Sequence, residues 1–281
     1  MAKATERGFY LISKDEVETP LNGGDFFVHD PEGLGLSINN SITQLNGTFY
    51  RSASSYGLEE IKLPIIFNNE NYYTATRNSY ENFKYLTRQL AGGIVTLKYT
   101  VPGEEAYFRD VALKSISKTD LDEYGVLQED LVFEPLTFWY QYQKFIFSFD
   151  GTADKTVTLD LDAFNILPIY YRNEIKIFDI EKKFTLPYWL CSHDNTHPGK
   201  DGYNIELDVG DRLTVGNISD HISAKHYDAS ADKTIDILHL QMPMCKAPLC
   251  LVDGINSLTF KANGGAAYKC YVTVKLEYPL V

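Results

Sequence analysis

A mainly β protein with one helix, divided between two domains, is what three features of the sequence predict. Aromatic residues make up 14% of the chain, with 20 Tyr and 16 Phe against 3 Met, and such residues pack well across pleated surfaces. Apolar residues alternate at period two in short runs bounded by Gly, Asn, Asp and Pro, the signature of strands and turns. Sustained helical spacing occurs in one place only, residues 78–91. A chain of 281 residues holds one large β domain or two of ordinary size. The cluster Phe138-Trp139-Tyr140, three residues after Pro135, reads as an aromatic plug between two domains. It places the boundary near Tyr140 and gives domains 1–140 and 141–281.

In chain order, Phe9 to Ile12 and Phe26-Phe27-Val28 are short strands, and Asp30-Pro31-Glu32-Gly33-Leu34-Gly35 is a turn-forming cluster. Ile38 to Phe49 alternates weakly and is broken at Asn46-Gly47, and Arg51 to Gly57 is small and polar, read as a flexible loop. Leu58 to Phe67 is a strand with Ile61, Leu63, Ile65 and Phe67 on one side. For the helix, Asn78 is a candidate N-cap with Glu81 three residues on. Tyr80, Phe83, Leu86 and Leu90 form its apolar stripe, with Phe83 expected to be fully buried, and Gly92-Gly93 ends it. Period two then resumes from Ile94 to Tyr99. Pro102-Gly103 fits the centre of a tight turn, and Tyr107 to Ile116 is the partner strand. Ser117 to Tyr124 is an acidic connection, Val126 to Phe133 is a strand, and Pro135 ends its ladder.

The second half repeats the β rhythm with no helix. Strands are expected at Gln143–Phe149, Thr156–Leu161, Ile169–Tyr171, Ile175–Asp179, Lys183–Leu190, Tyr203–Leu207, Arg212–Val215, Ile235–His239, Leu249–Val252, Ser257–Ala262 and Tyr268–Tyr278. Short strands at this spacing suggest a sandwich. The pair Gly254–Phe260 and Val272–Tyr278 resembles the closing strands of a jelly roll.

Asp and Glu number 38 against 26 Lys and Arg, a formal net charge of −12. That argues against a nucleic-acid-binding surface, which depends on Lys and Arg, and solubility is the plainest use of the charge. No run approaches the roughly 20 apolar residues of a membrane span, so membrane insertion is not expected. Residues 1–8 lack the apolar core of a signal peptide, so synthesis in a cytoplasm is expected. Cys191, Cys245, Cys250 and Cys270 are then free thiols rather than disulfides.

Few residues suggest chemistry. Cys191, His193 and His197 offer three zinc ligands, with His221 or His226 as a distant fourth. Yet Pro198-Gly199 puts them on a loop, where i, i+4 spacing fixes no common face, and an exposed polar loop explains them as well. Cys245, Cys250 and Cys270 match no compact zinc pattern and read as buried thiols. Tyr188 and Trp189 can stack on a sugar, but their period-two position favours core packing. Acid pairs such as Asp160 and Asp162 arise readily in an acidic chain. There is no P-loop, Rossmann glycine pattern or nucleophile elbow. The reading is a non-enzyme, with no catalytic residue, cofactor or metal assigned.

Taken together, the turn Asp30–Gly35, the strand Leu63–Phe67, the helix around Tyr85-Leu86, the hairpin of Val95–Tyr99 with Tyr107–Val111 and the closing stretch Leu131–Tyr140 resemble the distal tail protein (Dit) family of long, non-contractile-tailed phages of Gram-positive bacteria. The resemblance is best over residues 26–140 and weaker beyond. It implies a structural virion protein at the tail tip, made in the host cytoplasm. It further implies N-terminal domains closing a homo-hexameric ring between the major tail tube protein and the tail-associated hub protein. C-terminal galectin-like sandwiches would project outward, in some phages carrying receptor-binding proteins. The family carries no catalytic residues. A carbohydrate-binding protein contacting host saccharide through the C-terminal sandwich is the alternative. In a ring, part of the acidic charge would line the channel and repel passing DNA, with Glu104, Glu105, Asp120, Asp122 and Glu123 as candidates.

Overall fold

The computed structural model describes residues 6–35, 37–67, 75–123, 126–151, 153–161, 171–192, 199–219, 221–243, 251–261 and 266–278. The chain divides into two compact units, Met1–Gln141 with Glu277–Val281, and Tyr142–Leu276.

The first unit contains β1 (Gly8–Ile12), β2 (Glu18–Pro20), β3 (Asn22–Gly23), β4 (Phe26–Val28), β5 (Ser37–Leu45), β6 (Thr48–Gly57), β7 (Ile61–Phe67), α1 (Ala75–Leu90), β8 (Ile94–Thr100), β9 (Tyr107–Ile116), β10 (Leu127–Pro135) and the start of β11 (Trp139–Phe149). Its main sheet is antiparallel in the order β3-β4-β7-β10-β9-β8-β1-β2. Alternation assigns its inner face. Ile61, Leu63, Ile65 and Phe67 of β7 are fully buried, as are Leu127, Leu131 and Phe133 of β10. Burying each such side chain contributes roughly 1.5–3 kcal/mol.

Helix α1 covers this face through Leu86 and Leu90, both buried. It starts at Ala75, so Asn78 lies within its first turn and is not the N-cap. Ser79 does the anchoring instead: its buried Oγ donates to the Phe67 carbonyl at 2.8 Å, tying the first turn to the end of β7. Phe83 is partly buried, not fully, and meets Phe67 edge-on with ring centroids 5.4 Å apart. After the helix, Gly93 takes φ +97°. The turn at Pro102-Gly103 forms as expected, with Gly103 at φ +84° and the Glu104 amide donating to the Val101 carbonyl at 3.1 Å. That is a type II turn, which needs positive φ at its third residue. Pro135 is the last residue of β10.

Polar groups fix the remaining connections. Buried Glu129 accepts from Ser117 Oγ and from the Thr119 amide, both at 2.5 Å, and so holds the 117–119 segment. Asp110 accepts from Thr96 Oγ1 at 2.8 Å and from the Tyr140 hydroxyl at 2.9 Å. Trp139 is fully buried in the first unit's own core, so it is a core side chain of that unit where an interdomain plug was expected. The Arg109 guanidinium lies 5.5 Å from its ring centre and donates from Nε to the Thr137 carbonyl at 2.9 Å. Burial lowers this guanidinium to about 10, opposed by the charge of Glu59.

The second unit contains β12 (Lys155–Leu161), β13 (Arg172–Phe178), β14 (Phe184–Thr185), β15 (Tyr188–Ser192), β16 (Gly199–Gly202), β17 (Glu206–Leu207), β18 (Arg212–Gly216), β19 (Ser223–Asp228), β20 (Lys233–Asp236), β21 (Gly254–Phe260) and most of β22 (Tyr268–Tyr278). Two antiparallel sheets run β20-β19-β18-β13-β22 and β12-β21-β15-β16. Their buried aromatics meet: Phe149 stands 4.9 Å from Phe260 of one sheet and 4.8 Å from Tyr268 of the other. The expected single strand Lys183–Leu190 is interrupted. Leu186 adopts φ +55° and Pro187 has no N–H to give a ladder, so β14 and β15 are separate and join different partners. Strand β19, not expected from sequence, is a polar neighbour of β18.

Candidate assembly surface

The feature that neither core accounts for is the pair β5–β6, a sheet of its own. Asn46-Gly47 makes its turn, with φ +48° and +81° between the paired residues Leu45 and Thr48. Positive φ at both positions is the type I′ geometry that matches strand twist and favours Asn-Gly. Arg51–Gly57, expected as a flexible loop, is therefore the second strand of a hairpin. One extra residue, Ser52, forms a bulge where the register shifts between Ser41 and Ile42.

Directly opposed residues share a face, and residues two apart on a strand share it too. The pairs Ile38–Tyr56, Asn40–Ser54, Ile42–Arg51 and Gln44–Phe49 thus define one face. The pairs Asn39–Ser55, Ser41–Ala53 and Thr43–Tyr50 define a more polar opposite face. On the first face Ile38, Ile42, Phe49 and Tyr56 keep 51%, 65%, 69% and 40% of their surface exposed. Arg51 is the only charged residue from Ser37 to Gly57. An isolated two-stranded hairpin is marginal in water, and an exposed apolar face of this kind marks an interaction surface. Covering these four side chains would contribute about 3–7 kcal/mol. That reaches only the low end of the roughly 4–15 kcal/mol that association costs, so stable binding by the arm needs further contacts.

The other candidate residues fall away from any shared site. Cys191 lies in β15, while His193 and His197, Cys245 and Cys250, and Asp162 are outside the described residues. Among the described residues no group of three His, Cys, Asp or Glu is placed to hold a metal. His226 Nε2 instead meets Asp211 Oδ2 at 2.9 Å, and His221 is bonded to the Ser219 carbonyl. Burial pushes the Asp211 carboxyl up, but the Ala229 and Asp208 amides and His226 outweigh it, and the carboxyl lies below its ordinary value. Cys270 is a fully buried free thiol, pushed up by desolvation. Trp189 is fully buried, which removes it as a sugar platform, and the Tyr188 side chain is outside the described residues. Of the acids proposed for a channel, Glu104 accepts from the Tyr107 hydroxyl at 2.7 Å and Asp122 from the Val126 amide at 2.8 Å. Both therefore have local structural roles.

Residues 8–136 match the family model of the distal tail protein, N-terminal domain. No curated protein matches the sequence significantly. Among solved structures, the chain is similar to a component of the phage P2 baseplate in its activated conformation with Ca, with TM-score 0.68 and 12% identity over 99% of this chain and 100% of that one. The same baseplate with Sr gives TM-score 0.68 and 13% identity over 98% and 100%. The Dit (gp 19.1) protein of phage SPP1 gives TM-score 0.62 and 13% identity, over 95% of this chain and 99% of that one. At such identities these likenesses establish the fold. With the family match they define the class, a β-rich structural protein of the phage tail tip and not an enzyme. More narrowly, residues 8–136 form an N-terminal domain of the distal tail protein family.

Proposed function

We propose that this chain closes with copies of itself into a hexameric ring at the tail tip. The ring joins the major tail tube protein on one side to the tail-associated hub protein on the other. The observation that carries this reading is the β5–β6 arm, whose apolar face is exposed in the single chain. The similar SPP1 protein is described as a paradigm of a hub adsorption apparatus, which supports the same role. The second unit, with two antiparallel sheets around a shared aromatic core, is read as a galectin-like jelly-roll sandwich that carries receptor-binding protein. Binding of host saccharide by this unit has less support, because Trp189 is buried. The acidic balance suits a channel that passes DNA without holding it.

Mixing the full chain with purified tail tube protein and hub protein tests the reading. A co-migrating complex with both is expected, and failure to bind either protein would overturn the role as a joint.

A further inference from the structure

The second unit's sheet β20-β19-β18-β13-β22 sends Ile175, Ile177, Leu213, Val215 and Val272 into the core, all of them buried. Side chains alternate across a strand, so its other face carries Lys176 of β13, Arg212 of β18, Lys225 of β19 and Tyr271 of β22. Register lines them up. Tyr271, Lys176, Thr214 and Lys225 stand opposite one another across four neighbouring strands, which sets Lys176 and Lys225 about 10 Å apart, two strand spacings. Aromatic rings hold two further cations in place. Lys144 Nζ lies 3.6 Å from the Tyr271 ring centre, and the Arg212 guanidinium lies 5.2 Å from that of Tyr227. Lys144, Arg212 and Lys225 are exposed. The acids on this face do not cancel them. Asp236, opposite Lys225, already accepts from the Leu238 amide at 3.0 Å. Glu174 is half-buried, and burial lifts its carboxyl against the pull of Lys176, Lys225 and Lys144. One carboxylate among three lysines leaves the face positive, in a chain whose net charge is −12.

We infer that this face binds a phosphodiester-linked polyol, a linear polyanion met at a cell surface, with Lys144, Lys176, Arg212 and Lys225 taking its phosphates. The inference does not depend on the ring reading, because every residue lies in the second unit, and it draws only on the position at the tail tip. Three features select this occupant. The face is opposite in sign to the chain as a whole, as attraction of a polyanion requires. A protein partner would meet an apolar centre depleted in Lys. Here lysines hold the centre, and among the described residues none of the exposed large apolar side chains belongs to β13, β18, β19 or β22. A nucleic acid would stack its bases on open rings, but Tyr271 and Tyr227 are each taken by a cation. A polyol phosphate has no base to stack and asks only for spaced cations, which lysine supplies as point charges.

Titration of the full chain with labelled poly(glycerol phosphate), read by fluorescence anisotropy, tests this, with dextran, polyglutamate and duplex DNA as comparators. Saturable binding to poly(glycerol phosphate) is expected, weaker for each comparator and falling as salt rises from about 50 to about 200 mM. Lys176→Gln with Lys225→Gln is expected to weaken binding about tenfold and to flatten the logarithmic salt dependence by about one per lysine removed. Lys14→Gln with Lys84→Gln removes the same charge from exposed positions of the first unit and should leave binding nearly unchanged. Glu174→Gln removes the competing carboxylate and should tighten binding several-fold, a gain that loss of folding cannot produce. The inference is overturned if wild type does not bind, if the Lys176 and Lys225 pair binds like wild type, or if both pairs lose equally. A Glu174→Gln variant that binds no better overturns it as well. Equal binding of polyglutamate would point to an acidic protein partner and equal binding of duplex DNA to nucleic acid, and either result contradicts it.

Discussion

Leu86 and Phe83 lie on one stripe of α1 and carry different loads. Leu86 is fully buried, and Leu86→Ala should cost about 2–5 kcal/mol because the packed face around it cannot collapse fully. Phe83 is only partly buried, and Phe83→Ala should cost less. Urea unfolding of the two variants checks the order. Asp211 anchors the second unit's turn by accepting from Ala229 and Asp208 amides and meeting His226. Its carboxyl titrates below the ordinary value when folded. The stability it contributes is therefore complete above its unfolded value, near 3.9, and is lost as pH falls through the folded value. Asp211→Asn should cost about 1–3 kcal/mol at pH 7 and clearly less in strong acid. Unfolding measured from pH 7 down to pH 2.5 decides this, and an equal loss at both ends would contradict it. The stripe itself was legible in the three- and four-residue spacing. How deeply each member is buried was not, because that depends on which strand the helix lies across.

At the scale of elements, local turn chemistry was the most readable part of the chain. Pro102-Gly103 specified its turn, and the alternation Ile61-Leu63-Ile65-Phe67 specified its buried face. The β5–β6 arm escaped notice for a physical reason: no core of the single chain buries it, so Ser, Thr and Asn dilute its alternation. Asn46-Gly47 between weakly alternating runs is the signal that would have found it. Strand β19 is hidden in the same way by Lys225 and His226. Because the arm's apolar side chains support no core, Ile42→Ser combined with Phe49→Ser should change the melting of the first unit little. Such surface changes fall within about 0.5 kcal/mol. The same double variant should remain monomeric where wild type assembles. A large loss of stability on thermal unfolding would show that the arm belongs to the unit's own fold.

For the whole molecule, the family over residues 26–140 could be read from the order of turn, strand, helix and hairpin. The return of the chain's end to the first unit could not. Tyr278 packs edge-on against Tyr107 at 5.4 Å, a contact between residues far apart in sequence that leaves no local pattern. A metal site at Cys191, His193 and His197 stays a matter of spacing alone, since Cys191 lies in β15 and the two histidines are outside the described residues. What the account claims above all is that one chain, through an exposed arm, closes a ring of six. The most direct measurement is the mass of the full-length wild-type chain in solution, by mass photometry across a concentration series, with negative-stain class averages of the largest species. The account predicts a discrete particle of six times 31.9 kDa and six-fold averages with an open centre. A chain that stays at 31.9 kDa at every concentration, or that forms two-fold dimers, would contradict it.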